Sequence, residues 1–221
     1  MGDIFDLLIG FLQSFLTVFY QFSSSIGIPN YGVAIILMTI VIKVLLYPLT
    51  VKQVKSMKAM QDLQPKMKKI QDKYGKKDPQ RMQQEMAALY KDAGVNPLAG
   101  CLPLLAQMPL LIGIFYAIRD YTYLGTPSFL WIHNLSEADP LYILPIISAV
   151  TIYIQQKQTM TTNSDMNQQA KIMLYMMPLF IGYISLSFPA GLVLYWAMSN
   201  VMQIVQQWWM YSSDEGKKKE A

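Results

Sequence analysis

Tyr31 to Val51 reads YGVAIILMTIVIKVLLYPLTV, an apolar run with one full charge, Lys43, inside it. About 20 apolar residues in a helix cross the hydrocarbon of a bilayer. Lys43 falls roughly eight residues from the basic end of the run, too deep for a simple end anchor. A cation near mid-membrane costs about 2.5–3.5 kcal/mol on insertion scales, so its default place is against protein or a water-filled cavity. The competing reading is that Lys43 snorkels along its own stem to the near interface. Whatever else the chain places at that depth decides between them.

The composition fits a membrane protein. Of 221 residues, 53% are apolar and only 14% are charged, far from the charged share of an ordinary soluble domain. Mean hydropathy is a modest +0.26, because one internal stretch is strongly charged. A single cysteine, Cys101, excludes an intramolecular disulfide and a cysteine-based zinc site, and a single histidine, His133, excludes a His-pair metal site. No Gly-rich phosphate loop, GxSxG or HExxH is present, so no cofactor is assigned and an enzyme is not expected. No basic region precedes the first apolar stretch, so a cleavable signal peptide of the usual form is not read. Leu98-Ala99-Gly100-Cys101 matches a lipobox, but a hundred residues from where such a signal belongs.

Upstream of the first run, residues 3–22 are apolar with a narrow polar stripe of Asp3, Asp6, Gly10, Gln13, Ser14, Thr17 and Gln21. That pattern suits an interfacial helix in the membrane plane, with a span as the alternative. Ser23 to Asn30 is a breaker-rich turn. Downstream, residues 52–97 hold 11 of the 18 Lys and Arg with five acids. Val54, Met57, Met60, Leu63, Met67, Ile70 and Tyr74 keep helical spacing, as do Met82, Met86, Leu89 and Ala93 after the turn at 74–79. Two amphipathic helices joined by a turn read as a helical hairpin in water. It is either a solvated connector or an interaction element, with Lys66, Met67, Lys69, Tyr74, Met82 and Met86 as its contact surface.

Four more apolar stretches follow, at 98–118, 141–155, 172–188 and 190–211, so the expected fold is all-α and polytopic, with five spans. The short Phe188-Pro189-Ala190-Gly191 turn implies that the last two spans are adjacent and antiparallel. Residues 212–221 read as a disordered basic tail. The domain organisation is then 1–30, 31–51, 52–97, 98–211 and 212–221. The hairpin, the 157–171 loop and the tail are basic and fall on one side. That places the N-terminus and the 120–140 loop outside and the C-terminus in the cytoplasm.

With orientation set, Lys43, Gln107, Gln155, Gln156, Ser199, Asn200 and Gln203 share the inner half of the membrane. Each amide alone is explained by helix–helix hydrogen bonding worth about 1 kcal/mol. As a set around a cation with no intramembrane acid, they read as a hydrated groove open to the cytoplasm. A small ion channel or transporter would also use such a cavity, but no internal repeat of the kind transporters carry is visible. An intramembrane protease finds no nucleophile motif beside His133.

Gly94-Val95-Asn96-Pro97-Leu98-Ala99-Gly100-Cys101-Leu102-Pro103 with Gln107-Met108-Pro109, then Phe129-Leu130-Trp131-Ile132, then Phe188 to Trp196 with Asn200, resemble the YidC/Oxa/Alb family of membrane protein insertases. The resemblance covers nearly the whole chain. It implies a five-span core in a bacterial plasma membrane, a groove facing cytoplasm and lipid, and a cytoplasmic hairpin meeting the ribosome or a targeting factor. It implies nascent membrane proteins as substrates, membrane lipids as surroundings and the Sec translocon as a possible partner, without nucleotide hydrolysis or sequence-specific nucleic acid binding. Lys43 stands where the family motif implies an arginine, so charge is kept and the planar fork of donors is lost. The large periplasmic domain of the longer members is not in this sequence. Short members begin with a lipoprotein signal, which implies an N-terminus here that is processed, truncated or unusual.

Overall fold

The computed structural model describes residues 2–75, 77–95, 102–159 and 168–219, and these form eight helices and no strand. Helix α1 spans Gly2–Ser25 and α2 spans Tyr31–Leu45. Between them Gly27 takes a left-handed φ of 84°, which a Cβ would strain. The Asn30 carboxamide oxygen then caps α2, accepting from Gly32 N at 2.8 Å and Val33 N at 3.2 Å.

Helix α3, Tyr47–Tyr74, follows after a break at Leu46. The two helices meet at a bend of 65°, so the opening apolar run is not one straight rod. Pro48 lacks the N–H that the Val44 carbonyl would need, and its ring crowds the preceding turn. Pro65, in contrast, sits inside α3 without ending it. Helix α4, Pro79–Asp92, starts where the Asp78 carboxylate accepts from Arg81 N at 3.0 Å. It folds back on α3, giving a hairpin. Helix α5 spans Leu102–Arg119, and a structured loop over 120–142 leads to α6, Ile143–Thr159. Helices α7, Gln168–Ser185, and α8, Ala190–Lys219, complete the chain. Residues 160–167 of the expected basic loop, and 96–101 of the motif before α5, lie outside the described residues.

The loop over 120–142 is the organising joint. Asn30 Nδ2 donates to its Ser128 carbonyl at 2.9 Å. Ala190 N and Gly191 N donate to Glu137 O and Leu135 O at 2.6 and 2.8 Å. Asp139, 2% exposed, accepts from Leu144 N, Trp131 Nε1 and Leu141 N at 2.7, 2.9 and 3.0 Å, which caps α6. Helices α2, α6 and α8 therefore all begin at one end of the bundle and run parallel. Leu12, Leu16, Ile35, Met38, Ile118 and Val193 join α1, α2, α5 and α8 in one core beneath this joint. The rings of Tyr20 and Tyr31 stack at 4.0 Å there, with Tyr123 edge-on to Tyr31 at 4.8 Å.

Helix α1 has three faces. Leu12 and Leu16 are buried, Asp6, Gly10, Ser14 and Gln21 face out as a polar stripe, and Leu7, Phe11, Val18 and Phe22 form an exposed apolar strip beside it. Its Phe5–Ser25 segment is long and apolar enough to cross a bilayer by length and composition. Helices α2, α6 and α7 have 15, 17 and 18 residues, hence about 22–27 Å of length, short of the roughly 30 Å of a typical hydrocarbon core.

Two expectations change. Helices α7 and α8 share a short turn but are not packed as neighbours, because α6 packs against both. A tight turn fixes where two ends meet and leaves the axes free to diverge. The tail read as disordered continues α8 as helix to Lys219.

Candidate functional site: the polar face of helix α8

Lys43 lies in the last turn of α2, beside the break, and is 6% exposed. The helix C-terminus favours a cation by a few tenths of a kcal/mol to about 1 kcal/mol, which offsets part of the burial cost. Its Nζ donates to Gln203 Oε1 at 3.2 Å. No carboxylate among the described residues reaches it. An ammonium has three donors, so two remain for an acceptor that arrives from elsewhere. Snorkelling does not describe this side chain, since it is buried against α8.

The backbone of the same residue is held as well. Gln206 Nε2 donates to the Lys43 carbonyl at 3.3 Å, a group freed by the bend. Asn200 Nδ2 reaches Thr151 Oγ1 of α6 at 3.4 Å, and Ser199 is buried beside it. Ser199, Asn200, Gln203, Gln206 and Gln207 recur on one face of α8, so that face carries a polar seam toward α2 and a second toward α6. Gln155 and Gln156 of α6 are half-buried. The Oε1 atoms of Gln156, Gln158 and Gln206, the Ser148 Oγ, and both amide atoms of Gln207 are buried without a hydrogen-bond partner.

The sequence-selected residues thus divide. Lys43 and Gln203 meet directly, and Ser199 and Asn200 flank them on α8. Gln155 and Gln156 lie on α6, across the second seam. Gln107 is in α5, but its side chain lies outside the described residues. Gln206, Gln207, Thr151 and Gln158 were not singled out, although Gln206 and Gln207 extend the Asn200–Gln203 spacing by one further turn.

The hairpin is a separate surface. Tyr90 OH lies 3.6 Å from Met67 Sδ, tying α4 to α3. The Tyr74 ring carries Lys73 and Arg81 at 4.9 and 5.2 Å. Met82 and Met86 are half-buried, and Lys66 and Lys69 are exposed. Near its root, Lys58 sits over the Tyr211 ring at 5.6 Å and Tyr47 stacks on Trp209 at 6.4 Å. Both contacts join α3 to the far end of α8.

Comparison with known proteins agrees with this architecture. The family described as 60Kd inner membrane protein matches residues 21–218. The membrane protein insertase MisCA of Bacillus subtilis (strain 168) is 47% identical over 194 residues, covering 86% of this chain and 74% of that one. The membrane protein insertase YidC 2 of Bacillus anthracis is 47% identical over 182 residues, covering 81% and 71%. A solved structure described as an active YidC insertase with its first transmembrane domain resolved aligns with a TM-score of 0.71 at 30% identity. It covers 91% of this chain but 45% of that longer one. These matches favour an insertase over a channel or transporter, and the chain belongs to the YidC family of bacterial inner-membrane protein insertases.

Proposed function

We propose that this chain inserts nascent membrane proteins into the bacterial plasma membrane by holding their polar or acidic segments at Lys43 while apolar segments pass into lipid. The observation that carries the reading is a buried ammonium with one amide partner and no acid beside it among the described residues. A fixed structural ion pair would supply the counter-charge within the protein. Here the counter-charge comes with the substrate, and Gln107, Gln155, Gln156, Ser199, Asn200 and Gln203 offer neutral donors and acceptors around it. No covalent bond changes; partitioning of apolar surface drives the step, aided by the membrane potential on an acidic tail. Helices shorter than the hydrocarbon core thin the bilayer locally and lower the barrier to a polar segment.

The orientation has the 120–142 loop outside and the hairpin and C-terminus in the cytoplasm, with α1 at the outer interface, its apolar strip in lipid and its polar stripe in water. The hairpin, basic and bearing Lys66, Met67, Lys69, Tyr74, Met82 and Met86, receives the ribosome or a targeting factor, and the Sec translocon is a second partner. The deciding experiment is reconstitution of the full chain in liposomes with a stalled single-span nascent chain. Protease-protected substrate and crosslinks from positions 43 and 203 support the reading, whereas ion flux without insertion would replace it with a channel.

A further inference from the structure

The seam between α6 and α8 is built in a way that costs the closed fold. Asn200 and Thr151 meet at 3.4 Å and set the parallel register of the two helices. Seven residues further along each lie Gln207 and Gln158, which this register brings to the same level. Gln207 is 0% exposed, and neither its Nε2 nor its Oε1 has a partner; Gln158 Oε1 and Ser148 Oγ, on the same face of α6, are buried and unpaired too. Buried polar groups are ordinarily paired, and each orphan carries its full desolvation penalty. Four buried, unpaired polar atoms on three side chains thus lie in one otherwise well-packed seam, each a cost of the closed arrangement that opening returns. Among the described residues, helix α7 has its substantial packing with α6 alone, so α6 and α7 are fastened to the rest of the bundle chiefly through this joint.

We propose that the α6–α8 seam opens during insertion and that the Gln207 side chain, with Gln158 opposite, pairs with the main chain of the passing segment. A primary amide with both donor and acceptor free complements a group that also has both, and the peptide unit is that group. The recognition reads backbone, not side chains, so it is indifferent to substrate sequence, as strand-addition contacts are. Lys43 selects charge and Gln207 accepts any extended chain. The inference rests on the insertase reading and adds the class of contact by which the chain is held after it leaves Lys43.

The test uses the full chain in proteoliposomes with a stalled single-span nascent chain and a photocrosslinker at position 158. Gln207→Leu removes two orphaned atoms, so its thermal midpoint rises while insertion falls about fivefold or more, the loss of one to two good hydrogen bonds; Gln207→Asn recovers part of the insertion. Insertion at the wild-type rate by Gln207→Leu, or a midpoint that falls together with insertion, overturns the proposal, the latter because it marks a purely structural amide. A second arm places Ser148→Cys and Ala197→Cys, buried one turn before the Thr151–Asn200 pair on each helix, in a Cys101→Ser background. Oxidation stops insertion and reductant restores it; insertion through the oxidised seam also overturns the proposal. Failure of the wild-type chain to insert would instead sink the insertase reading.

Discussion

The Gln206 side-chain amide donates to the main-chain carbonyl of Lys43 at 3.3 Å. One turn earlier on the same helix, Gln203 accepts from the Lys43 ammonium at 3.2 Å. Helix α8 therefore holds both ends of one residue, at the place where α2 breaks and α3 leaves at 65°. On the proposed reading, the arrangement lets a lysine stand where the family resemblance implies an arginine fork. A flexible stem needs an external anchor to keep its charge in one place, and a glutamine supplies it.

Lys43→Leu should lower insertion of a single-span substrate with an acidic tail by about ten- to a hundredfold, the equivalent of a lost charge-assisted hydrogen bond of roughly 1.5–3 kcal/mol. Lys43→Arg should stay close to wild type, because the charge is kept. Protease protection of the substrate in proteoliposomes reads both. Equal insertion by the leucine variant, with no advantage for arginine, removes Lys43 from the mechanism.

Asp139→Ala should be among the most destabilising substitutions outside the core. Its buried carboxylate accepts three N–H groups at 2.7–3.0 Å, and removing it leaves the Trp131 indole and the start of α6 without their acceptor. A loss of about 3 kcal/mol or more follows from charged hydrogen bonds of this kind. Asn30→Ala, which loses the cap of α2 and the tie to Ser128, should cost about 1–2 kcal/mol. Thermal unfolding in detergent ranks the two, and the reverse order would contradict the role given to the loop.

Gly32→Ala tests the close approach of α2 to the Phe129 turn. A Cβ at position 32 would overlap the Phe129 ring, so repacking should cost about 1–3 kcal/mol. Combining it with Phe129→Ala should cost less than the sum of the two single changes, since the second removes the overlap. Simple additivity in that double-mutant cycle would show that the contact is relieved some other way.

Much of this architecture was legible because polar residues are conspicuous in apolar runs. Lys43, Asn200 and Gln203 stand out for that reason; Lys43 and Gln203 meet, whereas Asn200 turns to Thr151 of α6. Gln206 and Gln207 escaped notice because they adjoin the aromatic Trp208–Trp209 belt, where an amide reads as an interfacial residue. Asp139 read as one of several loop acids; only the folded loop shows that three N–H groups converge on it. The bend at Leu46 was masked by the apolar residues on both sides, although Pro48 was its signal. The separation of α7 from α8 lay beyond sequence reading, because α6 reaches between them only through tertiary packing.

Tyr123 should give the joint at the 120–142 loop an alkaline limit. Burial, with the nearby Tyr121 adding to it, pushes its phenol up to about 12, and its hydroxyl donates to the Ile118 carbonyl at 2.9 Å. An unfolded tyrosine ionises near pH 10, so the folded state holds this proton more tightly. The stabilisation is fully present below about pH 10 and is lost as pH rises through about 12, by roughly 2–3 kcal/mol in all. The ionised phenolate could neither donate to Ile118 nor remain among the rings of Tyr31 and Tyr121 without solvation. Near-ultraviolet titration in detergent should show a late-ionising phenol that is lost in Tyr123→Phe. The stability of that variant should fall less steeply between pH 10 and 12 than that of the wild type, and an identical fall in both would assign the alkaline limit to another group.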